Sequence, residues 1–196
     1  MLTKRQLRIK RIFDLAVAIV LIPFVLIPIL IFAILASIST KQNGIFVQER
    51  IGQFGKPFRC YKIRSLKGSQ HVGIDAIKSN ETPFGRWLRW SKMDELPQLF
   101  NVLEGTMSLV GPRPDISGYA DELSREDSVL LEIKPGITGP ATLKYKNEDA
   151  VLLKQKDAKK YNDTVIWPDK IKLNKTYIKN WSLRKDIGYL WASISK

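Results

Sequence analysis

One cysteine and one histidine stand in a chain of 196 residues. Cys60 has no second cysteine to join, so an internal disulfide is excluded and a reducing compartment is the natural setting. Its simplest role is that of a small apolar residue in a strand. His71 alone gives no support to a histidine metal cluster or to a triad built on imidazole. Acidic residues are also scarce, 19 against 32 lysines and arginines, a net charge of +13 at pH 7. Internal repeats and low-complexity tracts are lacking. The positive excess lies at the two ends: five bases and one acid over 1–14, fourteen and twelve over 15–139, thirteen and six over 140–196. Such a surface suits nucleic acid, anionic lipid or phosphorylated substrates.

Charge is missing altogether from Leu15 to Thr40. This apolar segment ties the chain to a bilayer and makes lipid headgroups the simpler partner for the basic ends, with no nucleic acid expected. The length suits one membrane element, 1–40, and one compact domain, 41–196. As an unbroken helix, Leu15–Ile38 would be about 36 Å long, enough for a hydrocarbon core of roughly 30 Å. A secretory signal would have a shorter apolar core and a better cleavage site than Ala36-Ser-Ile-Ser39. Pro23 and Pro28 lie inside the run, and each removes a backbone donor. They fit a helix–break–helix that dips into one leaflet and returns, the reading favoured here, and also a kinked spanning helix. Lys4, Arg5, Arg8, Lys10 and Arg11 place the preceding end in the cytoplasm. A spanning helix would therefore export the basic domain, whereas a re-entrant one keeps it inside.

Downstream, Ile45–Gln48 and Pro57–Ile63 read as short strands joined through a turn holding Gly52 and Gly55. Residues 65–82 are polar, a loop or short helix. A helix is expected over Phe84–Trp90 and another from Ser91 to Glu104, ended by Gly105. Met107–Val110 leads into the stiff turn Gly111-Pro-Arg-Pro. A helix around Gly118–Leu131 and the loop Lys134-Pro-Gly-Ile-Thr-Gly-Pro follow. In the last third Tyr177, Ile178 and Trp181 share helical spacing, as do Ile187, Leu190 and Trp191. These stripes suit either the membrane interface or packing on the domain.

Three places could carry chemistry. Asp94-Glu95 stands at a helix start, where the dipole favours ionised carboxylates, and neighbouring positions point about 100° apart, toward different partners. Helix-start acids without further role show the same pattern. Arg113, fixed between two prolines, presents a guanidinium suited to bidentate phosphate contact, or simply closes a turn. Arg86, Arg89 and Lys92 add positive charge just before the acidic pair, where a solvated basic face is the plain alternative. The glycines around Thr138 would let backbone amides approach a ligand.

Read in order, these pieces resemble one family, the monotopic bacterial phosphoglycosyl transferases, or bacterial sugar transferases. The resemblance runs through Lys10-Arg-Ile-Phe-Asp, Phe46-Val-Gln-Glu-Arg-Ile-Gly and Gly55-Lys-Pro-Phe-Arg-Cys-Tyr-Lys-Ile-Arg-Ser. It continues in Met93-Asp-Glu-Leu-Pro-Gln-Leu-Phe-Asn-Val-Leu-Glu-Gly-Thr-Met-Ser-Leu-Val-Gly-Pro-Arg-Pro and Lys134-Pro-Gly-Ile-Thr-Gly. It implies a helix-rich α+β domain on a re-entrant membrane segment, with amphipathic interfacial helices, at the cytoplasmic face of the bacterial inner membrane. The implied reaction moves a sugar 1-phosphate from a UDP-sugar to a polyprenol phosphate such as undecaprenyl phosphate, in assembly of a cell-surface glycan. Asp94 matches the nucleophile and Glu95 its partner. Mg²⁺ would sit near the pair, with Asp94 as ligand. Arg113, Arg89, Arg86, Lys62, Arg64 and Thr138 are the candidate substrate-binding residues. Two departures stand out: Pro140-Ala-Thr-Leu-Lys-Tyr replaces the aromatic and Ala-Gln-Val that often follow Thr-Gly, and Ile-Pro pairs replace a Ser-Pro break. The competing class is a membrane-anchored basic protein that binds lipid or nucleic acid without chemistry.

Overall fold

A computed structural model describes residues 2–68 and 79–195; His71 and most of the polar stretch after Ser65 lie outside them. The chain opens with one long helix, α1 (Lys4–Thr40), started by a reciprocal cap between Thr3 and Gln6. The expected break does not interrupt it. Both Pro23 and Pro28 lie inside the helix, because a proline deletes one hydrogen bond and leaves the turns on either side free to continue. Among the described residues this is the one helix long and apolar enough to cross a membrane.

Where α1 touches the rest of the chain decides how it is used. Lys10, Asp14, Ala18, Ile29, Ala36 and Thr40 are buried, and Ile22 and Val25 between them are half-buried. Spacings of three, four and seven residues put these on one face, so a single stripe is seated on the domain along the helix. Ile19, Val20, Phe24, Ile27, Leu30, Ile34 and Ile38 point away and are exposed. Ala18 enters a core built with Cys60, Val102, Met107, Val110 and Tyr177. Ala36 enters a second one with Ile63 and Leu88.

Strands β1 (Ile45–Ile51) and β2 (Pro57–Ile63) form the expected antiparallel hairpin, with Gln48 opposite Cys60. Cys60 is buried in it. Helix α2 (Pro83–Ser91) also matches expectation, capped by the Thr82 hydroxyl. Three segments differ. The helix expected from Ser91 begins only at Gln98, as α3 (Gln98–Glu104), after a tight turn over Met93–Glu95. The Gly118–Leu131 helix is replaced by two short 3-10 turns, Ala120–Glu122 and Ser128–Glu132; Asp121 and Ser124 bond locally with their neighbours there, competing with helix. The glycine-rich loop contains a strand, β4 (Gly136–Thr138), parallel to β3 (Ser108–Val110). A side chain on Gly136 would meet the Gly111 nitrogen at 2.1 Å, so these glycines serve backbone against backbone.

Two C-terminal helices, α4 (Trp167–Lys179) and α5 (Leu183–Ile194), close the domain. Their stripes divide. Tyr177, Ile178 and Trp181 are core, whereas Ile187 and Trp191 are exposed. Asp186, wholly buried, accepts from Lys10 Nζ at 2.7 Å, Tyr177 Oη at 2.7 Å and Trp181 Nε1 at 3.0 Å. It joins α5 to the start of α1. Removing one partner of such a pair leaves an uncompensated buried charge. Lys10→Ala is accordingly expected to lower stability by about 3–5 kcal/mol, read as a lowered unfolding midpoint of the detergent-solubilised protein; an unchanged midpoint would show that the pair carries no load.

Candidate active site

The acidic pair is placed by the turn between α2 and α3. Lys92 ends α2 in the left-handed conformation, φ 61°, and reverses the chain so that Asp94 and Glu95 point into the domain. Both are buried, at 6% and 7% exposure. Asn101 fixes this turn to the hairpin. Its Nδ2 donates to the Arg59 carbonyl at 2.7 Å and its Oδ1 accepts from the Tyr61 amide at 3.0 Å, so a side-chain amide pairs with the outer edge of β2. Lys62 is the next residue, and its Nζ lies 3.5 Å from Glu95 Oε1.

Arg113 reaches Glu95 from the other side. Its Nη2 donates to Oε1 at 2.6 Å and its Nη1 to Oε2 at 3.4 Å, a fork on one carboxylate. The turn carrying Arg113 is braced by β4: Gly111 donates to the Thr138 carbonyl at 2.9 Å, and Gly136 to that of Pro112 at 2.8 Å. Arg50 holds the far side through the Pro114 carbonyl at 3.2 Å. A narrow pocket beside the pair is lined by Arg50, Cys60, Lys62, Gln98, Arg113 and Pro114.

These surroundings drive the two carboxyls apart. Burial and the charge of Glu95 push Asp94 above the ordinary carboxylate range, with Lys62, Lys92 and Arg89 opposing. Burial would raise Glu95 too, but Arg113 and Lys62 outweigh it and hold Glu95 far below that range. Adjacent acids thus acquire different characters, one locked as an anion and one held in reserve. Asp94 Oδ1 is buried with no hydrogen-bond partner among the described residues. An orphaned acceptor of this kind costs stability unless something else uses it.

The other candidates scatter. Arg89 pairs with Asp149 and stands 4.0 Å from Glu81. Arg86 is on the exposed flank, bound to Glu81 at 2.7 Å. Arg64 is engaged away from the pair: it donates to the carbonyls of Asn43 and Gly68 and lies over the Phe46 ring. The Thr138 hydroxyl meets Ser193 Oγ at 2.6 Å and ties β4 to α5. Arg50, Asn101 and Asp149 were not singled out from the sequence. The first two do lie inside the ordered motif blocks, which is the signal that could have found them.

Comparison with known proteins follows the same outline. A family model described as "Bacterial sugar transferase" matches residues 5–196. The chain belongs to this family. An uncharacterized sugar transferase of Bacillus subtilis is 33% identical over 96% of this chain and 86% of its own length. An undecaprenyl-phosphate galactose phosphotransferase of Salmonella typhimurium is 30% identical over 98% of this chain and 41% of its own length. A UDP-N-acetylgalactosamine-undecaprenyl-phosphate N-acetylgalactosaminephosphotransferase of Aeromonas hydrophila is 33% identical over 95% and 43%. The protein is therefore a phosphoglycosyl transferase, an enzyme rather than a basic binding protein, and its long apolar α1 is consistent with association with a membrane.

The displaced titration of Asp94 has a consequence for stability. A carboxyl whose folded-state pKa is raised favours the protonated, acid side; its penalty on the fold appears as pH rises through that raised value. Asp94→Asn removes the charge and is expected to raise the unfolding midpoint at pH 7, with a gain that vanishes toward acid pH. A midpoint that is lowered, or a gain independent of pH, would contradict the burial-driven shift.

Proposed function

We propose that the enzyme transfers a sugar 1-phosphate from a UDP-sugar to a polyprenol phosphate, undecaprenyl phosphate by analogy with its relatives, through an aspartyl intermediate. The buried Asp94 Oδ1, without a hydrogen-bond partner among the described residues and beside the locked Glu95, carries this reading. An ionised Asp94 attacks the phosphorus that bears the sugar, and the bond from that phosphorus to the bridging oxygen breaks, so UMP leaves with the electron pair. An oxygen of the acceptor phosphate then attacks the same phosphorus, the Asp94–phosphorus bond breaks, and the carboxylate is restored. Glu95 keeps Arg113 and Lys62 in place, and each has N–H donors beyond those given to Glu95 that an incoming phosphate could use.

Mg²⁺ fits this site as a ligand held mainly by substrate. No group of three or more His, Cys, Asp or Glu side chains gathers among the described residues. Mg²⁺, however, is often bound by one or two carboxylates with substrate phosphates and water. Asp94 is the residue that would hold it, and the ion would neutralise the diphosphate. The chain's own cations do the rest: Arg113, Lys62 and Arg89 surround the anionic substrate and lower the repulsion between it and Asp94.

The two-part organisation, 1–40 with the bilayer and 41–196 as catalytic domain, belongs to the same proposal. So does entry of α1 into one leaflet without crossing, at the cytoplasmic face of the inner membrane. Burial of one stripe from Lys10 to Thr40 supports it, since a crossing helix would carry one end away from the domain that both ends touch. Exposed Trp87, Trp90, Ile187 and Trp191 supply interfacial contacts. The acceptor keeps its tail in lipid and its phosphate at the surface, so the site must work there. Two measurements check the reading. Membranes containing the enzyme, given Mg²⁺, polyprenol phosphate and a panel of UDP-sugars, are expected to release UMP with at least one donor, and Asp94→Asn to release none while staying membrane-bound. UMP release by that variant would remove Asp94 as nucleophile. Single cysteines at Lys4 and Gln42, in a Cys60→Ser background, are expected to react with an impermeant reagent from the same side; labelling from opposite sides would establish a spanning helix.

A further inference from the structure

Arg89 and Asp149 are 60 residues apart in sequence and meet as an ion pair. Arg89 lies on α2, five residues before the nucleophile candidate, and its charge acts on Asp94. Its side chain is one quarter exposed, whereas that of Asp149 is half exposed. Asp149 comes from a short helix, Glu148–Leu152. The neighbouring Glu148 faces a different element, pairing with Lys170 of α4 at 2.7 Å. Adjacent helical positions diverge by about 100°, and here the two carboxylates fasten one short segment to α2 and to α4.

The charges around the site give this pairing its meaning. Arg113 and Lys62 are both committed to Glu95. Among the described residues, Arg89 is the cation acting on Asp94 that pairs with an exposed carboxylate from a separate segment, while the more buried Glu81 stands farther off at 4.0 Å. A carboxylate and a phosphate oxygen compete for the same guanidinium fork. From this we infer that Asp149 is a built-in competitor for Arg89: with no donor bound it occupies the guanidinium, and the donor's diphosphate displaces it. The inference rests on the donor reading above and extends it, naming a residue that sets donor affinity through Arg89. Asp149 is thus a positioning residue, not a catalytic one. Leu152, buried on the same short helix, keeps the segment close by after Asp149 lets go.

Exchange of partners at an exposed pair shifts an equilibrium by a factor of about two to five. The test titrates UDP, with Mg²⁺, into the full-length detergent-solubilised enzyme by calorimetry. Asp149→Asn is expected to tighten UDP two- to fivefold and to lower the donor KM by a similar factor. Asp149→Glu, which keeps a carboxylate, is expected to restore affinity toward that of the parent. In an Arg89→Gln background the Asp149→Asn change is expected to have no further effect, since the two residues act through one contact. A merely structural clip would weaken UDP binding or leave it alone. Equal or weaker binding by Asp149→Asn therefore overturns the inference while leaving the donor reading intact. Failure of UDP to bind any of these proteins overturns both.

Discussion

Glu95 is held by cations from two directions, and much of the molecule is arranged so that both can reach it. Lys62 arrives on the hairpin, at a height set by Asn101 against the outer edge of β2. Arg113 arrives on the Gly-Pro-Arg-Pro turn, which β4 braces from behind. β4 is tied in turn to α5 by Thr138 and Ser193, and α5 is tied to α1 by Asp186 and Lys10. The ionised Glu95 is what raises Asp94 beyond the effect of burial alone. One carboxylate thus sets the electrostatic character of its neighbour.

The same chain of contacts runs from the bilayer side. α1 contributes to two cores, Arg11 donates to the Val102 carbonyl at 2.6 Å, and Val102 lies in the helix that follows the acidic pair. The long apolar helix and the helix that follows the acidic turn are therefore direct neighbours. The proposed reaction, with one substrate in water and the other in lipid, gives a reason for that arrangement. On that proposal the site would stay where the acceptor phosphate can arrive without leaving the headgroup region.

Much of this was legible in the sequence because it is local or carried by motif. The hairpin follows from alternation around Gly52 and Gly55, α2 from its cap and apolar spacing, and the acidic pair and Arg113 from the ordered central block. The rest depends on partners distant along the chain. β4 is three residues long and pairs with a strand it has no local signal for. Lys10 finds Asp186 across 176 positions and Arg89 finds Asp149 across 60, distances over which spacing says nothing. The turn before α3 escaped for a local reason: Asp94-Glu95 followed by Pro97 reads as a helix start, but a left-handed Lys92 tightens the chain before the helix begins.

Burial of Lys10 bears on the order of events during synthesis. Orientation in the membrane is decided by flanking bases while the chain is being inserted. If α1 enters the membrane as proposed, Asp186 has not then been made, and Lys10 would count among the charges that resist translocation. Once the last helix is complete, the same ammonium is withdrawn from solvent into the Asp186 pair. On the proposed topology, one residue would first help choose the side of the membrane and then lock the finished domain to the helix it oriented. Synthesis from N- to C-terminus keeps the two duties from competing.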